Sequence, residues 1–477
     1  MQASNPSSTS SYTSSSTSSY SVGIDIGTTS LSLSVIDLQR KAPVTYRTVK
    51  NTYAVGTDDP DLFMQDPEAI YEAASLLLSD ILTDFPSTRV IGVTGQMHGI
   101  LYIGEDGKAV SPLYTWRDRR ADRMHPSGVS YSDALCRLTG MSVPAGYGMA
   151  THFYNVENRL VPQSAHSLCT VMDYVAHRLV DRREILMHAS NAASLGLFAP
   201  ARCALQGDLF ALFDRFLTLP EVTSAPTVIG TYRGIPVSVA IGDNQASFLG
   251  SVKDPCGSIL LNIGTGSQIS AVSPFRSVCG DTECRPLIGD SFLLCGSALS
   301  GGASYALAER FFSDYAKACG ISPDSQYEVM NRLLEETLQN GRSPLNVDTR
   351  FAGTRSDPTR RGAIVGIDSD NFTPGQLLLG ILDGMCRELY ELFPEDILKE
   401  KHTLVASGNA VQRIRVLRER METIFSKPVL LSEAKEEAAT GTALFASLSA
   451  GLTGGISEFA DFITLCSSTA QASDQTI

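Results

Sequence analysis

The chain has one tryptophan in 477 residues, no closely paired cysteines, no His-x-x-x-His and no surplus of positive charge. Each absence removes a class of function. Ten cysteines run from Cys136 to Cys466, and the tightest pair, Cys279 and Cys284, has four residues between its members, so zinc-type pairing is excluded. Thiols spread this way read as reduced and mostly buried, which suits a cytoplasmic protein. With 38 Lys and Arg against 51 Asp and Glu, a net charge of −13 and no basic stripe, nothing offers footing to nucleic acid or an anionic membrane. Beyond the Ser/Thr-rich start, the longest uncharged stretches, around 258–275 and 441–457, are rich in Gly, Ser and Thr and make poor membrane spans. Residues 1–20 contain no Lys, Arg or Glu and are nearly all Ser and Thr. They lack the apolar segment of a signal peptide and the arginines of a transit peptide, and read as a disordered tail, with a shorter one at 467–477.

What is present is globular: 43% hydrophobic and 19% charged residues. The length exceeds one ordinary core, so two domains of roughly 200 to 250 residues are expected, here 21–250 and 251–466. A repeat supports that division. Asp25-Ile-Gly-Thr-Thr-Ser30 returns as Asn262-Ile-Gly-Thr-Gly-Ser267, and one constant offset matches Ile26 with Ile263, Gly27 with Gly264, Thr28 with Thr265, Ser30 with Ser267 and Val35 with Val272. In each copy an apolar run enters Gly-Thr and leaves through alternating apolar residues, the pattern of a hairpin with a tight glycine turn. One such turn is only a turn. Two facing each other would clasp a phosphate chain through backbone N–H groups and Thr hydroxyls, held locally in an acidic protein, which points to a small-molecule partner.

Along the rest of the chain, Asp66-Pro67-Glu68 predicts a helix start, with Ile70, Ala74, Leu77, Leu78, Ile81 and Phe85 at helical spacing. A buried strand from Arg89 delivers Gly95-Gln-Met-His-Gly99 to a strand end, where crevices form. Trp116 beside Arg117-Asp-Arg-Arg120 is either a packed ring with a solvated rim or the apolar plate of a sugar site. Cys169 to Leu179 reads as helix and Ser190 to Ser194 as a turn. A strand ends at Gly242 and a helix follows, so Asp243 reads as an N-cap, yet a general base facing two phosphate turns would stand there too. Further on come a helix from Tyr305 to Phe312 opened by a glycine pair, a polar loop from Gly353 to Gly362, a long helix near Gln376 to Leu392, and a strand from Thr403 delivering Gly408 to a helix. A last helix runs through Glu436 to Leu444, with small residues that allow close packing.

In this order, Asp25-Ile-Gly-Thr-Thr, Gly95-Gln-Met-His-Gly, Trp116-x-Asp118-x-Arg120, Gly242-Asp-Asn-Gln-Ala-Ser, Gly264-Thr-Gly, the pair at Gly301 and Ser407-Gly-Asn-Ala resemble the FGGY carbohydrate kinases. These are members of the actin-like ATPase superfamily, and the resemblance covers residues 21–466. Within the family, Asp173-Tyr-Val175, Asn191-Ala-Ala-Ser194 and the Trp116 and Gly242 segments are most similar to sedoheptulokinases, although xylulokinases share part of them.

The resemblance implies an α/β fold of two actin-like (ribonuclease-H-like) domains with a duplicated core, separated by a catalytic cleft. It implies ATP-dependent phosphorylation of the terminal hydroxyl of a ketose, with sedoheptulose ahead of xylulose or ribulose, and a monomer or homodimer. Asp243 would be the base. Asp25, with Asp243, would hold Mg²⁺. Thr28, Thr29, Gly264, Thr265 and Gly266 would contact the phosphates of ATP, and Gly301, Gly302, Gly408 and Asn409 its base and ribose. Gln96, Met97, His98, Trp116, Asp118, Arg120, Asn244 and Gln245 would shape the sugar pocket. Two departures stand out: Arg119 replaces a usual glycine, and Val411-Gln-Arg-Ile414 stands where the family often offers an Asn. An actin- or chaperone-like ATPase is disfavoured because no peptide-binding extension is present, and a catalytically silent regulator because Asp25 and Asp243 both are.

Overall fold

Runs of β-branched and apolar residues on either side of the two Gly-Thr turns form antiparallel hairpins at the centres of two large sheets. The computed structural model describes residues 18–274, 281–321, 324–355, 357 and 359–468. Both Ser/Thr-rich ends, up to residue 17 and from 469, lie outside the described residues, as does Cys279. Tyr20 and Ser467, assigned to the tails by the sequence reading, both belong to strands, so the ordered part reaches slightly further toward each end than expected.

The first sheet contains β1 (Tyr20–Ile26), β2 (Ser30–Asp37), β3 (Ala42–Lys50), β4 (Thr88–Gly95), β5 (Val228–Tyr232), β6 (Ile235–Ser238) and β7 (Ile241–Gly242) in the order β5-β6-β4-β1-β2-β3, with β7 also on β4. The second contains β8 (Ser258–Ile263), β9 (Ser267–Ser273), β10 (Thr282–Pro286), β11 (Phe292–Ala298), β12 (Thr403–Ser407), β13 (Val429–Ser432) and β14 (Leu465–Ser467), ordered β10-β11-β9-β8-β12-β13-β14. Without the extra edge strands the two are the same: three antiparallel strands, then two more joined parallel to the first. The repeat in the sequence is therefore a repeat of topology.

Helices cover both faces. The predicted helix start holds: α1 (Pro67–Asp84) is capped by Asp66, whose side chain accepts from the Glu68 and Ala69 backbone N–H groups, and it buries Ile70, Ala74, Leu77, Leu78 and Ile81. With α2 (Val171–Leu179) it covers the outer face of the first sheet, while α5 (Pro374–Leu392) buries Leu378, Leu382, Met385 and Leu389 over the second. The helix after the glycine pair, α4 (Gly301–Ala318), is longer than its apolar spacing suggested. Residues 190–194, expected as a turn, lie in a short helix, Ala189–Ser194, capped by the His188 side chain.

Between the sheets lie α3 (Asp243–Ser251) and α6 (Glu437–Ser449). Phe248 and Val252 at the end of α3 pack on Leu260, Leu293, Cys295 and Val405 of the second sheet. Helix α6, late in the chain, returns to the first sheet, where Ser21 Oγ donates to Ala443 O at 2.6 Å and Ser34 Oγ meets Thr440 Oγ1 at 3.0 Å. The approach is close enough that a Cβ on Gly441 would strike Ala246 O, and one on Gly23 would strike Ala439 O. Each half thus lends a helix to the other, and a cut at residue 250 would separate α6 from the sheet it covers. Among the described residues no helix is long and apolar enough to cross a membrane, and no disulfide joins any two of the nine described cysteines.

Candidate active site

Register brings three strand ends of the first sheet together. Ile26 pairs with Gly95 across β1 and β4, and Gly242 pairs with the same Gly95 across β7 and β4. The turn at Gly27, the Gln96 segment and Asp243 therefore emerge side by side at the carboxyl edge, where α/β sheets place ligands. The second sheet repeats the device: Asn262 pairs with Ser407, which sets the 264–266 turn beside Gly408. Between the two edges lies a cavity of about 630 Å³, lined from the first half by Asp25, Gly27, Thr28, Gln96, Met97, His98, Trp116, Asp243 and Asn244, and from the second by Gly264, Thr265, Gly266, Gln268, Arg285 and Arg355 among others.

Asp243 is not the N-cap. Gly242 takes that position and Asp243 is the first helical residue, so its carboxylate is free of the capping duty and lines the cavity. Burial lifts its pKa to about 6 against the pull of Arg285 and of the Asn244 backbone N–H, leaving it ionised at neutral pH. Asp25 is held higher still, at about 8, by burial first and then by the charges of Asp243 and Glu436. Its Oδ1 is buried without a hydrogen-bond partner. A buried carboxylate oxygen left unmatched beside a second carboxylate suits a hard divalent cation. Among the described residues no three His, Cys, Asp or Glu side chains converge as a ready-made cage. That fits an ion such as Mg²⁺, which takes one or two carboxylates and fills its other positions with phosphate and water.

The first turn is wired to its surroundings. Thr28 Oγ1 donates to Gln96 Oε1 at 3.2 Å and accepts from Trp116 Nε1 at 3.0 Å, while Gln96 Nε2 and the Thr28 carbonyl are both tied to Gln65. Trp116 thus remains half exposed as a plate over the cavity mouth. His98 sits at φ 74°, a left-handed conformation uncommon away from glycine and typical of functional sites. Its Nδ1 lies 2.9 Å from Ser194 O; a carbonyl only accepts, so that nitrogen carries the proton and Nε2 is left as an acceptor. Burial, reinforced by Arg285, pushes the His98 pKa down to about 4 and keeps the ring neutral.

Other predicted residues do different work. Asp118 and Arg120 do not line the cavity; they are buried against each other, with Arg120 Nε and Nη2 on the carboxylate at 2.7 and 3.0 Å and Nη1 on Asn155. Burying either charge alone would be costly, and the pair solves that locally. Gln245 is fully buried and donates to Pro286 O. Thr29 is exposed beside the first turn and outside the cavity lining. Gly301 and Gly302 back the second turn, where the Gly302 and Ala303 N–H groups donate to Gly264 O and Thr265 O at 2.9 Å. Gly408, at φ 95°, approaches Ile263 just before that turn and starts the short helix Asn409–Arg413. Asn244 faces the cavity but commits its Nδ2 to Gln268.

The sequence reading missed Gln65, Tyr147, Gln268, Glu283, Arg285 and Arg355. A signal for two of them existed: Glu283 and Arg285 alternate with apolar neighbours at strand period, two opposite charges on one face of a strand.

Residues 20–250 match the N-terminal domain of the FGGY family of carbohydrate kinases. Sedoheptulokinase from Mus musculus is 25% identical over 468 residues, which span 89% of this chain and 96% of the relative. Xylulose kinase from Rhodospirillum rubrum has the same fold, with a TM-score of 0.79 at 20% identity over 94% of this chain and 93% of that one. Plasmodium falciparum glycerol kinase with ADP matches with a TM-score of 0.74 at 16% identity over 95% and 94%. The duplicated sheets, the cleft between them and the match of the first half make one statement: the chain belongs to the FGGY family of carbohydrate kinases and has their two-domain, actin-like α/β fold.

Proposed function

We propose that the protein is an ATP-dependent ketose kinase that phosphorylates the terminal hydroxyl of a seven-carbon sugar, sedoheptulose to sedoheptulose 7-phosphate. The observation that carries the reading is the position of Asp243: an ionised carboxylate without a capping duty, in one cavity with both Gly-Thr turns. The likeness to sedoheptulokinase supports the choice of sugar, and the ADP of the fold-related glycerol kinase supports an adenine nucleotide.

In this reading the γ-phosphate of ATP lies between the turns, where N–H groups of Gly264 to Gly266 and the Thr265 hydroxyl donate to its oxygens. Asp25, with its unmatched Oδ1, and Asp243 would hold Mg²⁺, which supplies charge neutralisation at the phosphates. The terminal hydroxyl of the sugar sits against Asp243. The carboxylate accepts its proton as the oxygen attacks the γ-phosphorus; the bond from that phosphorus to the bridging oxygen breaks, and ADP leaves. Most of the rate comes from alignment and charge neutralisation, because the transition state of phosphoryl transfer is loose. His98 Nε2 and Gln96 offer polar contacts to hydroxyls, and Trp116 a face for C–H groups.

An ADP-release screen over sedoheptulose, xylulose, ribulose and glycerol tests the proposal, with Asp243→Asn as control. Sedoheptulose should give the highest kcat/KM. A preference for xylulose or ribulose would make this a pentulose kinase, and turnover of none would return the protein to the silent-regulator reading.

A further inference from the structure

On β10, Glu283 and Arg285 stand two residues apart, so both side chains leave one face of the strand. The register locates them. Ser267, at the end of the second turn, pairs with Ala298; three residues further along β9, Ser270 pairs with Cys295, and Cys295 pairs with Glu283 on the other side of β11. At a strand rise of about 3.3 Å per residue, the pair lies about 10 Å down the sheet from the phosphate turn. Asp243 falls between the two places, since its neighbour Asn244 reaches Gln268 and Ser270.

Arg285 is 7% exposed and lines the cavity. Its Nε and Nη2 donate to Glu283 Oε2 at 3.0 and 2.7 Å, whereas its Nη1 makes no hydrogen bond to the described residues. Glu283 is occupied at both oxygens, because Oε1 also accepts from Arg355 Nη1 at 2.6 Å and from the Tyr147 hydroxyl at 2.9 Å. Tyr147 comes from the first half of the chain, and its ring stacks on His98 with centroids 4.1 Å apart. The guanidinium is therefore aimed by a carboxylate that is itself tied across the cleft. Its charge is also the main influence drawing the Asp243 pKa down, which places the two groups within electrostatic reach. Around the cavity, Arg285 and Arg355 face Asp25, Asp243 and Glu283, a balance that favours a neutral polyol over a sugar acid.

We infer that Arg285 is a specificity residue: its free Nη1 donates to an oxygen of the sugar remote from the hydroxyl that is phosphorylated, and the Tyr147–Glu283–Arg355 bridge makes that contact depend on the cleft being closed. The inference rests on the ketose-kinase reading. With its terminal hydroxyl at Asp243, a seven-carbon ketose carries further oxygens along its chain toward Arg285, and a three-carbon polyol carries few.

The test is steady-state kinetics on Arg285→Met, Arg285→Lys and Tyr147→Phe with sedoheptulose, glycerol and gluconate. Loss of one charged donor should raise the KM for sedoheptulose about 10- to 100-fold, with the KM for ATP unchanged and any activity on glycerol little affected. Arg285→Lys should keep only part of the affinity, because an ammonium cannot both hold Glu283 and reach the sugar in a fixed fork. Tyr147→Phe removes one hydroxyl without a charge and should raise the same KM about threefold or more; it serves as the second probe if the Arg285 variants fold poorly. Wild-type turnover of a ketose together with an unchanged sugar KM in Arg285→Met overturns the inference alone. Preference for gluconate overturns the charge argument, and a wild type inactive on every polyol overturns the kinase reading with it.

Discussion

The two Gly-Thr turns occupy the same place in the same topology, yet their surroundings differ. Before the first turn stands Asp25, with a buried and unmatched oxygen; at the matching place before the second stands Asn262. Strand pairing extends the correspondence beyond the hairpins. Asp25 lies opposite Thr94 and Asn262 opposite Ser407, so Thr94-Gly95-Gln96 and Ser407-Gly408-Asn409 are also equivalent: hydroxyl, glycine, amide. Gln96 is tied to Thr28 and Gln65, whereas Asn409 opens a helix beside the second turn. Duplication supplied a pair of turns, and substitution at a few strand ends gave them different chemistry, an acid before the first and an amide before the second.

The strongest way to break this comparison is to remove the candidate base that lines the cavity beside the first turn. Asp243→Asn should lower kcat by roughly 10²- to 10⁴-fold, while calorimetry still detects both sugar and nucleotide; retained turnover would take Asp243 out of the base role. Next comes an exchange between the turns. Asp25→Asn should cost on the order of 10²-fold in Mg²⁺-dependent turnover, and adding Asn262→Asp should restore none of it; a rescue measured by magnesium titration would mean the turns are interchangeable.

The helix exchange offers a third probe. Gly441→Ala drives a Cβ into Ala246 O and should destabilise the protein by about 1 to 3 kcal/mol, seen as a lower urea midpoint. The same change at Gly451, which faces open space at φ 67°, should act only through its backbone strain.

The smallest effect concerns pH. Asp173, buried between Thr170 and Asn191, has a pKa pushed by burial from the ordinary carboxylate range up to about 7. The folded protein therefore holds a proton that the unfolded chain has already released. The stability this gives is fully present below the unfolded value and is lost as pH rises through about 7. Asn can keep both hydrogen bonds without the charge, so the fall in Tm between pH 5 and pH 8 should be smaller in Asp173→Asn than in the wild type.

Signals that are local in the chain were legible. The hairpins were visible as strand-period runs around Gly-Thr, and α1 as Asp66-Pro67 ahead of a 3.6-residue pattern, because caps and turns are settled by a few adjacent residues. The base candidate was visible as a carboxylate after a strand. Errors arose where a residue's partner lies elsewhere. Trp116-x-Asp118-x-Arg120 looked like a single sugar-facing group, but only Trp116 reaches the cavity; Asp118 and Arg120 answer each other and Asn155. Ser190 to Ser194 sets two alanines among Ser and Asn, which favour turns, and the helix form is decided by the His188 cap and by Asn191, whose side chain bonds Asp173 and Ala240 O.

By itself the sequence determined the duplication, the two turns and the identity of the acids, since each is written in contiguous residues whose backbone preferences and side-chain chemistry act locally. Only the tertiary structure decided which residues share the cavity. Strand register set Gly27, Gln96 and Asp243 on one edge, the crossing of α6 joined the halves, and a salt bridge on β10 reached Tyr147 over more than a hundred residues of chain. Contacts of that separation depend on packing and register, and neither composition nor periodicity within a short window records them.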